Sequence, residues 1–496
     1  MLLYSFNDAR MPRFVLNYFP DTCPRCFCLC AGLFLLFAPG AITLPQPAQA
    51  QLEFTGYVGN YNAYTTRSPH ELISARNRVR LNARQNFPDG RLYIATDVRQ
   101  FYANSSDSLD FRLREAFIDV FFDKADLRIG KQAISWGQAQ GDFIFDLVSP
   151  FDLSEFLTQE FTELREGVTA VSYTRFIGNN QLQLLVNPAF EPSRLPDYGG
   201  RWGVVPNDIF PFPADFERYN PGPGRITDGQ AALRFAWRGP LSLDLDAAVM
   251  YWRSRTPGYR KEFETSPLGS LRIPEGITLT EDYEPSFIGG FWGEYRPGGD
   301  WQLPFEVAYF SKLPVDILPG ELSDDDLQTL RRIQEDEGAA DELSFAELTA
   351  LLSRFDDTLN EGEESGFLSY RPAIKWMAGV SHPVFGWDVS LQYLAEVRLR
   401  YGDEVLQERW FHGVSAVLNQ QYFRQRLMVR LLGRYQFNGR DFWLNPELDY
   451  DLRDNLSLSL GGHFFGGASP EPDYPQLSFR RYGSNSLAYT SVKLFW

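Results

Sequence analysis

Cysteine is scarce in this sequence, and its positions exclude two kinds of stabilising site. All four cysteines, Cys23, Cys26, Cys28 and Cys30, precede residue 51 in a chain of 496 residues. The residues that follow therefore have no disulfide available to them. The first two cysteines have the spacing of a zinc ligand pair, but no second pair occurs anywhere in the sequence. We therefore predict no metal site.

Long apolar runs and catalytic motifs are also missing. No stretch after residue 50 reaches the roughly 18 consecutive apolar residues of a membrane-spanning helix, and the mean hydropathy is −0.30. The chain has four histidines, and none lies in a nucleophile or metal-ligand motif. They are His70, His382, His412 and His463. A Cys-x-x-Cys-His haem-attachment motif is absent as well, so we expect neither a cofactor nor enzymatic activity.

Aromatic residues, by contrast, are abundant. Phe, Tyr and Trp number 41, 24 and 11, together 15% of the chain, and the formal net charge is −17. Aromatic richness without helical spans fits the girdles that a β-barrel places at both membrane interfaces. A large secreted all-β enzyme would also be acidic and aromatic and is the competing class. The negative charge gives no basis for a nucleic-acid partner.

The amino end has the layout of a secretory signal. Three arginines precede an apolar run over residues 27–44, and Ala48-Gln49-Ala50 forms a small-x-small cleavage site. We predict a cleaved signal peptide over residues 1–50 and a transmembrane β-barrel over residues 51–496. The basic region is unusually long, so Met11 is an alternative start.

The carboxy end has the pattern of a closing barrel strand. In the last eleven residues, Val492, Leu494 and Trp496 fall on one face, while Tyr489 and Lys493 fall on the other. A final strand with an apolar face and an aromatic end is typical of a membrane barrel. It also resembles the carboxy-terminal signal that delivers bacterial outer-membrane proteins to their insertion machinery. Tyr489, Leu494 and Trp496 would form that signal.

Eighteen strand candidates alternate with turns of two kinds. Every second connection is tight and rich in turn formers, such as Phe87-Pro-Asp-Gly90 and Pro297-Gly-Gly-Asp300. The other connections are mostly long, and this asymmetry is that of an outer-membrane barrel. The predicted strands cover residues 52–65, 74–86, 91–103, 110–122, 126–132, 166–177, 181–190, 229–238, 241–254, 284–296, 301–311, 369–382, 385–400, 408–420, 424–436, 441–452, 455–464 and 486–496.

The alternation within each strand predicts which side chains face the lumen. In residues 387–401 one face is continuously apolar and the other carries charges, which cost several kcal/mol toward lipid and little toward water. The same sorting predicts lumen-lining residues on four stretches of strand. They are Arg76, Arg78, Arg80, Arg84, Glu396, Arg398, Arg400, Arg424, Arg426, Arg430, Arg434, Asp441, Glu447 and Asp449. Such a ladder has two interpretations: structural pairing of arginines with carboxylates, or an electropositive path for anionic and amphiphilic solutes.

One local motif is more specific than the rest. Leu127-Arg-Ile-Gly-Lys-Gln-Ala-Ile-Ser-Trp-Gly137 is followed by Val148-Ser-Pro-Phe-Asp152, and its glycines permit backbone bends. Here the sequence resembles a family of bacterial porin-like outer-membrane proteins catalogued as a domain of unknown function, which is distantly similar to alginate-export-type barrels. Ser149 departs from that family's Asn-Pro-x-Asp turn. The motif residues are Gly130, Gln132, Trp136, Gly137, Pro150 and Asp152.

Two long connections carry further expectations. The resemblance implies an inward-folded, plug-like segment over residues 133–165, and an extracellular loop packed on the rim is the alternative. Residues 321–366 hold fifteen Asp or Glu against three Arg. Ser323 with Asp326 and Ser344 with Glu347 predict two capped helices, which would form an acidic helical hairpin as a solvated cover over the barrel mouth.

Together these features predict an all-β, transmembrane antiparallel barrel of about 18 strands (16–20) in the outer membrane of a Gram-negative bacterium. Short turns would face the periplasm and long loops the exterior. We expect a porin-like channel for passive passage or export of small solutes, including anionic or amphiphilic ones. The alternatives are a sheath or scaffold for an exporter or electron-transfer complex, and an outer-membrane hydrolase. Expected partners are outer-membrane lipid and lipopolysaccharide, the insertion machinery, and an inner-membrane or periplasmic transport protein.

Overall fold

A computed structural model describes most of the chain after residue 51. It covers residues 52–103, 108–139, 144–156, 159, 161–203, 213–219, 228–239, 242–268, 271–318, 320, 322–335, 342–468 and 478–496. The predicted signal peptide lies outside the described residues. Among the helices that are described, none is both long enough and apolar enough to cross a membrane.

Eighteen strands of the described residues form one antiparallel sheet. They are β1 (Leu52–Thr65), β2 (Leu72–Phe87), β3 (Gly90–Phe101), β4 (Ser108–Phe122), β5 (Ala125–Gln132), β6 (Val168–Ile177), β7 (Asn180–Asn187), β9 (Gln230–Arg238), β10 (Leu243–Arg253), β13 (Pro285–Gly298), β14 (Trp301–Asp316), β15 (Leu368–Val384), β16 (Trp387–Arg398), β17 (Trp410–Tyr422), β18 (Leu427–Gln436), β19 (Asp441–Arg453), β20 (Leu456–Gly467) and β21 (Leu487–Phe495). Each strand pairs with the next along the ring, and β1 pairs with β21, so the barrel is closed. The predicted number of strands is confirmed.

The two faces of the ring strands differ in polarity. On β16, Leu391 is 50% exposed while its neighbour Gln392 is 3% exposed, and on β2 the same contrast separates Leu81 from Arg78. Side chains alternate across a strand, so one face of the ring is apolar and exposed and the other is polar and covered. An apolar outer face on a closed ring of strands is the lipid-facing surface of an outer-membrane barrel.

The connections sort by length as predicted. At one end of the ring, which we call the tight-turn end, eight short turns join successive strands, and β1 begins and β21 ends there. The opposite, long-loop end carries the connections between β5 and β6, β7 and β9, β10 and β13, β14 and β15, and β20 and β21.

The long-loop end also carries a second sheet. β8 (Ala214–Glu217), β11 (Gly258–Leu268) and β12 (Leu271–Asp282) form it, with β12 in the middle. No strand is predicted from the sequence over residues 255–283, and Pro267, Pro274 and Gly276 lie within this stretch. The β11–β12 hairpin has a register shift at Glu264 and Thr265, opposite Gly276 and Pro274, and such an irregularity accommodates proline in a strand.

Two helices pack on this second sheet. They are α2 (Asp324–Glu335) and α3 (Phe345–Gly362), and a four-residue helix α1 (Phe161–Leu164) precedes them in the chain. Ser344 and Glu347 cap α3 reciprocally, as the sequence predicts. The apolar stripes of α2 and α3 bury Leu330, Leu351 and Phe355 against Ile277 and Leu279 of β12. The acidic hairpin is therefore one layer of a packed substructure and more than a solvated cover.

Three arginines lie outside the strands that the sequence assigns to them. β16 ends at Arg398, so Arg400 belongs to the following loop, where its φ is +51°. β18 begins at Leu427, and Arg424 and Arg426 belong to the tight turn before it. Three consecutive turn residues, Phe423 to Gln425, have positive φ, which takes the backbone out of the extended region. The prediction of a continuous strand ladder through these three arginines is wrong.

Candidate functional site

The chain between β5 and β6 contacts two opposite parts of the ring. We call residues 133–167 the crossing segment. Near its start, Trp136 and Phe145 pack on Trp292 of β13, with ring centroids 6.1 and 4.7 Å apart. Further on, Glu155 and Glu163 form ion pairs with arginines of β2. In ring order β2 and β13 lie far apart, and every contacted side chain is on the buried face of its strand.

Six arginines and six carboxylates bind one end of the crossing segment to β2, β3 and β4. The arginines are Arg76, Arg78, Arg80, Arg99, Arg112 and Arg114, and the carboxylates are Asp97, Asp110, Asp152, Glu155, Glu163 and Glu166. Equal numbers of the two charges cancel, so this wall is not the positive surface that its arginine content alone predicts.

Two carboxylates of the crossing segment are the centres of this network. Glu163 accepts hydrogen bonds from Arg78 Nη1 at 2.6 Å, from Arg80 Nη2 at 2.5 Å and from the Tyr57 hydroxyl at 3.0 Å. Asp152 is fully buried and accepts one from Arg99 Nη1 at 3.0 Å and another from Arg112. A buried carboxylate is tolerated when several charge-assisted hydrogen bonds replace its water.

The other end of the crossing segment is held by Glu306 of β14. This side chain is fully buried, and its two oxygens accept hydrogen bonds from the backbone N–H groups of Gln138, Ala139 and Phe145 at 2.7, 3.0 and 2.6 Å. Gln392 of β16 also donates to the Gln138 carbonyl at 3.3 Å. Glu306 therefore satisfies three backbone amides that belong to no helix or strand among the described residues.

The six motif residues all lie on β5 or on the crossing segment. Gly130 and Gly137 have φ values of +129° and +94°, which a side chain would strain. A Cβ on Gly137 would lie 2.8 Å from Glu306 Oε1, so this glycine also permits the contact just described. Gln132 Nε2 donates to the Ala170 carbonyl at 2.9 Å, and the Pro150 carbonyl accepts from Glu166 N at 2.8 Å. Trp136 and Asp152 make the contacts given above.

The predicted residues on β16, β18 and β19 form smaller groups. Glu396 binds both Arg398 and Lys375 at 2.9 Å. Arg430 forms an ion pair with Glu447, which also accepts a hydrogen bond from the Tyr489 hydroxyl. Among the remaining predicted residues, the Arg434 guanidinium carbon lies 5.8 Å from the centroid of the Phe479 ring, and Asp449 accepts a hydrogen bond from Ser459 Oγ at 2.5 Å. Asp441 is fully buried. Arg84 is exposed and donates a hydrogen bond to Asn86.

Sequence reasoning identified Asp152 as a motif residue but missed the other carboxylates that hold the crossing segment. Glu306 lies in a strand whose neighbours alternate normally, and nothing in its local pattern connects it with residues 138 to 145. Glu155 and Glu163 lie in the connection that carries the motif. Their acidic side chains could have been predicted as partners of the arginines on β2. Among the described residues, no group of three His, Cys, Asp or Glu side chains is arranged to hold a metal ion.

Comparison with known proteins identifies the family. The model of the family described as "Protein of unknown function (DUF1302)" matches residues 54–448. The chain belongs to this family. The matched residues include the crossing segment and the strands on both sides that hold it. The match ends at Leu448 on β19. No curated protein sequence matches the chain.

Several solved bacterial protein structures are similar to this chain. Acinetobacter baumannii OccAB1 has a TM-score of 0.46 at 9% identity, covering 91% of this chain and 98% of its own. Pseudomonas aeruginosa OccK8 (OprE) has 0.46 at 7% identity, covering 90% and 98%, and OccD3 (OpdP) of the same species has 0.46 at 8%, covering 92% and 96%. These similarities do not indicate a solute.

The architecture of the chain itself determines where this DUF1302 protein resides. A closed antiparallel ring leaves no unpaired strand edge, and its exposed apolar face matches the hydrocarbon region of a bilayer. The longest connections gather at one end, and the other end carries only tight turns among the described residues. The protein is a β-barrel of the outer membrane of a Gram-negative bacterium.

Proposed function

We propose that this barrel is a porin-like channel through which small polar solutes pass passively, and that the crossing segment narrows it. The observation that carries the proposal is the attachment of this segment to two opposite walls of the ring, by Glu306 on one side and by the arginine network on the other. A ring of 16 to 18 strands encloses an aqueous channel unless something fills it. A segment fixed across the interior would set the size limit.

The charge pattern supports selection by size and polarity over a general preference for anions. On β2 to β4 every arginine of the network has a carboxylate partner. Paired charges inside a protein cancel at distances beyond a few ångströms and leave little net potential. This supports the interpretation of Arg76, Arg78 and Arg80 as structural partners of carboxylates over the interpretation as a positive path for anionic solutes.

The proposal is tested by releasing the crossing segment at both walls. The double variant Glu306→Gln with Glu163→Gln removes one carboxylate from each attachment and keeps side-chain volume. Because several buried donors then lose their charged acceptor, at about 1.5–3 kcal/mol each, the segment should leave its position for part of the time. We expect single-channel conductance in planar bilayers to rise and larger sugars to enter proteoliposomes in swelling assays.

A second double variant is the control. Glu53→Gln with Glu71→Gln also removes two carboxylates, but Glu53 lies on β1 opposite Arg84 and Glu71 pairs with Arg201 outside the network. Its conductance and size limit should stay near those of the parent. A parent barrel that shows neither conductance in planar bilayers nor sugar uptake in the swelling assay would refute the channel. Equal conductance of all three proteins would instead mean that the crossing segment does not set the size limit.

A further inference from the structure

The outer face of β1, β2 and β3 carries a group of amide side chains. We call it the amide patch, and its members are Asn60, Asn62, Asn77 and Gln100. Asn60 pairs with Asn77 and Asn77 pairs with Gln100 across the strand ladder, so their side chains are neighbours on one face. This face is the outer one, because Val79, which follows Asn77 on the same side of β2, is 41% exposed. The amide patch therefore interrupts the apolar surface of the barrel.

The amide patch lies between the two membrane interfaces. Trp496 lies at one interface, level with Gly56, with which it exchanges backbone hydrogen bonds. Tyr64 is eight residues beyond Gly56 on β1 and is 50% exposed on the outer face, as expected of an aromatic residue at the opposite interface. Asn60 is four residues from each of these levels, which is about 10 Å along the membrane normal for a strand tilted by about 45°. Its side chain therefore faces acyl chains.

Hydrogen bonds among the described residues satisfy only part of the amide patch. Asn60 Nδ2 donates to Asn77 Oδ1 at 2.8 Å and to the Tyr102 hydroxyl at 2.9 Å, and Asn60 Oδ1 accepts from Asn62 at 2.6 Å. Asn77 Nδ2 donates to Gln100 Oε1 at 3.2 Å. A side-chain amide has two N–H donors, so both donors of Gln100 and one of Asn77 have no acceptor among these residues. Both residues are exposed on the outer face, where acyl chains offer no acceptor and an unsatisfied donor is costly.

We propose that the amide patch is the contact surface between two copies of this barrel in the membrane. Two copies have the same orientation across the bilayer, so a two-fold axis along the membrane normal brings their patches together at one depth. Each patch has carbonyl oxygens as well as free N–H groups, so the donors of Asn77 and Gln100 in one copy meet acceptors of the same kind in the other. Hydrogen bonds of this type join membrane-embedded segments. The inference does not depend on the proposed channel function.

The residues beside the amide patch fit the same partner. Leu109 of β4 pairs with Gln100, and Leu109 and Phe111 are 76% and 68% exposed. Protruding apolar side chains next to a hydrogen-bonding centre supply the close packing that protein association in lipid requires. Lipid also covers such side chains, but at this depth its acyl chains have no acceptor for the amides. A second copy of the chain has both the apolar side chains and the acceptors at that depth.

Cross-linking in cell membranes tests the contact, because the chain has no cysteine after residue 30. Val79→Cys places a thiol beside Asn77 and leaves all four amides in place. A bis-maleimide reagent should convert most of this variant to a product of twice the mass, and differently tagged copies should be joined in it. Tyr309→Cys is the matched control, because Tyr309 is 44% exposed on β14, across the ring from β2. This control should stay at the mass of one chain.

A double variant tests the amides themselves. Asn77→Leu with Gln100→Leu removes the exposed amides and keeps a similar side-chain volume. In this background, cross-linking through Val79→Cys should fall at least about tenfold. Gln85→Leu with Thr96→Leu changes the outer face of the same strands nearer the tight turn and should leave the cross-linking unchanged. Heat-modifiable migration on gels shows that each variant folds, and conductance per barrel should not change because each copy keeps its own lumen.

Three results would overturn the inference. The first is the absence of any cross-linked product from Val79→Cys in membranes, and the second is a dimer that the double variant leaves intact. The third is a product whose mass shows a different protein, which would mean that the patch contacts another membrane protein. Protection of Val79→Cys from a monofunctional maleimide by lipopolysaccharide in vesicles, without a dimer, would assign the patch to lipid instead. Loss of conductance with cross-linking retained would refute the channel and leave the dimer.

Discussion

At the scale of single residues, the crossing segment depends on positions where backbone and side chain meet closely. Gly137 combines a left-handed φ with the approach of Glu306, and both requirements exclude a Cβ. The sequence shows that a bend occurs at this glycine, because Trp-Gly follows a strand. The sequence does not show that Glu306 is the partner of this bend. Glu306 lies on β14, far along the chain, and a contact between residues distant in sequence leaves no local pattern.

The first prediction at this scale concerns Gly137→Ala. Positive φ and the predicted 2.8 Å approach of the new Cβ to Glu306 Oε1 both oppose the substitution, so the crossing segment should lose at least about 1 kcal/mol of stability. Gly178→Ala is the control, because Gly178 also has positive φ, in the turn between β6 and β7, but has nothing within 4 Å of a built Cβ. Hydrogen exchange should accelerate around residue 137 in Gly137→Ala far more than around residue 178 in Gly178→Ala; equal acceleration at the two positions would assign the effect to φ alone.

At the scale of elements, the second sheet and its helices form a unit that local patterns describe only in part. The capping residues predict α2 and α3 correctly, because caps act over three residues. The sheet beneath them was not predicted, since the sequence pattern indicates only a long connection between two strands of the ring over residues 255–283. Asp326 joins the two helices: it accepts hydrogen bonds from Ser323 N at 3.0 Å and Ser323 Oγ at 2.7 Å, and it pairs with Arg354 of α3.

This arrangement makes the helix pair sensitive to acid. Burial raises the pKa of Asp326, but the hydrogen bonds from Arg354 and Ser323 outweigh burial and hold the pKa below its ordinary value. Its contribution to stability is therefore fully present above about pH 3.9, the ordinary carboxyl value, and is lost as the pH falls through the lower folded-state value. Hydrogen exchange in α2, corrected for the intrinsic rate, should accelerate below that pH.

Two variants separate Asp326 from general charge effects. Asp326→Asn should lower the stability of α2 by about 1 kcal/mol at neutral pH, as for a lost helix cap, and should flatten the acid dependence. Asp325→Asn removes a neighbouring exposed carboxylate and should keep the parent profile. The role given to Asp326 is wrong if Asp326→Asn retains the acid dependence of the parent.

At the scale of the whole molecule, the barrel was predictable because its rules are local and repeat along the chain. Alternation identifies each strand, turn residues identify each tight turn, and the parity of the count requires both chain ends to meet. The route of the crossing segment follows no such rule. It depends on pairs such as Glu163 with Arg78, and Glu306 with the amides of Gln138, Ala139 and Phe145, which become neighbours only once the ring has closed.

The last prediction concerns how that ring closes. β21 pairs with β1, and the final residue extends the seam: Gly56 N donates to the Trp496 carbonyl at 3.3 Å and Trp496 N donates to the Gly56 carbonyl at 3.2 Å. Leu494 and Trp496 are both about half exposed on the apolar face, whereas Tyr489 is buried on the polar face against Glu447. We expect Leu494 and Trp496 to form the insertion signal, with Tyr489 acting in the folded barrel.

Trp496→Ser should therefore lower the yield of heat-modifiable, assembled barrel several-fold while export across the inner membrane continues. Trp301→Ser provides the control, because Trp301 begins β14 at the same tight-turn end and is similarly exposed, 46% against 51%. Both substitutions remove an aromatic anchor from the membrane interface, but only one alters the closing strand. A yield reduced equally by the two would mean that Trp496 acts as an interface anchor alone, since an insertion signal requires its position at the end of β21.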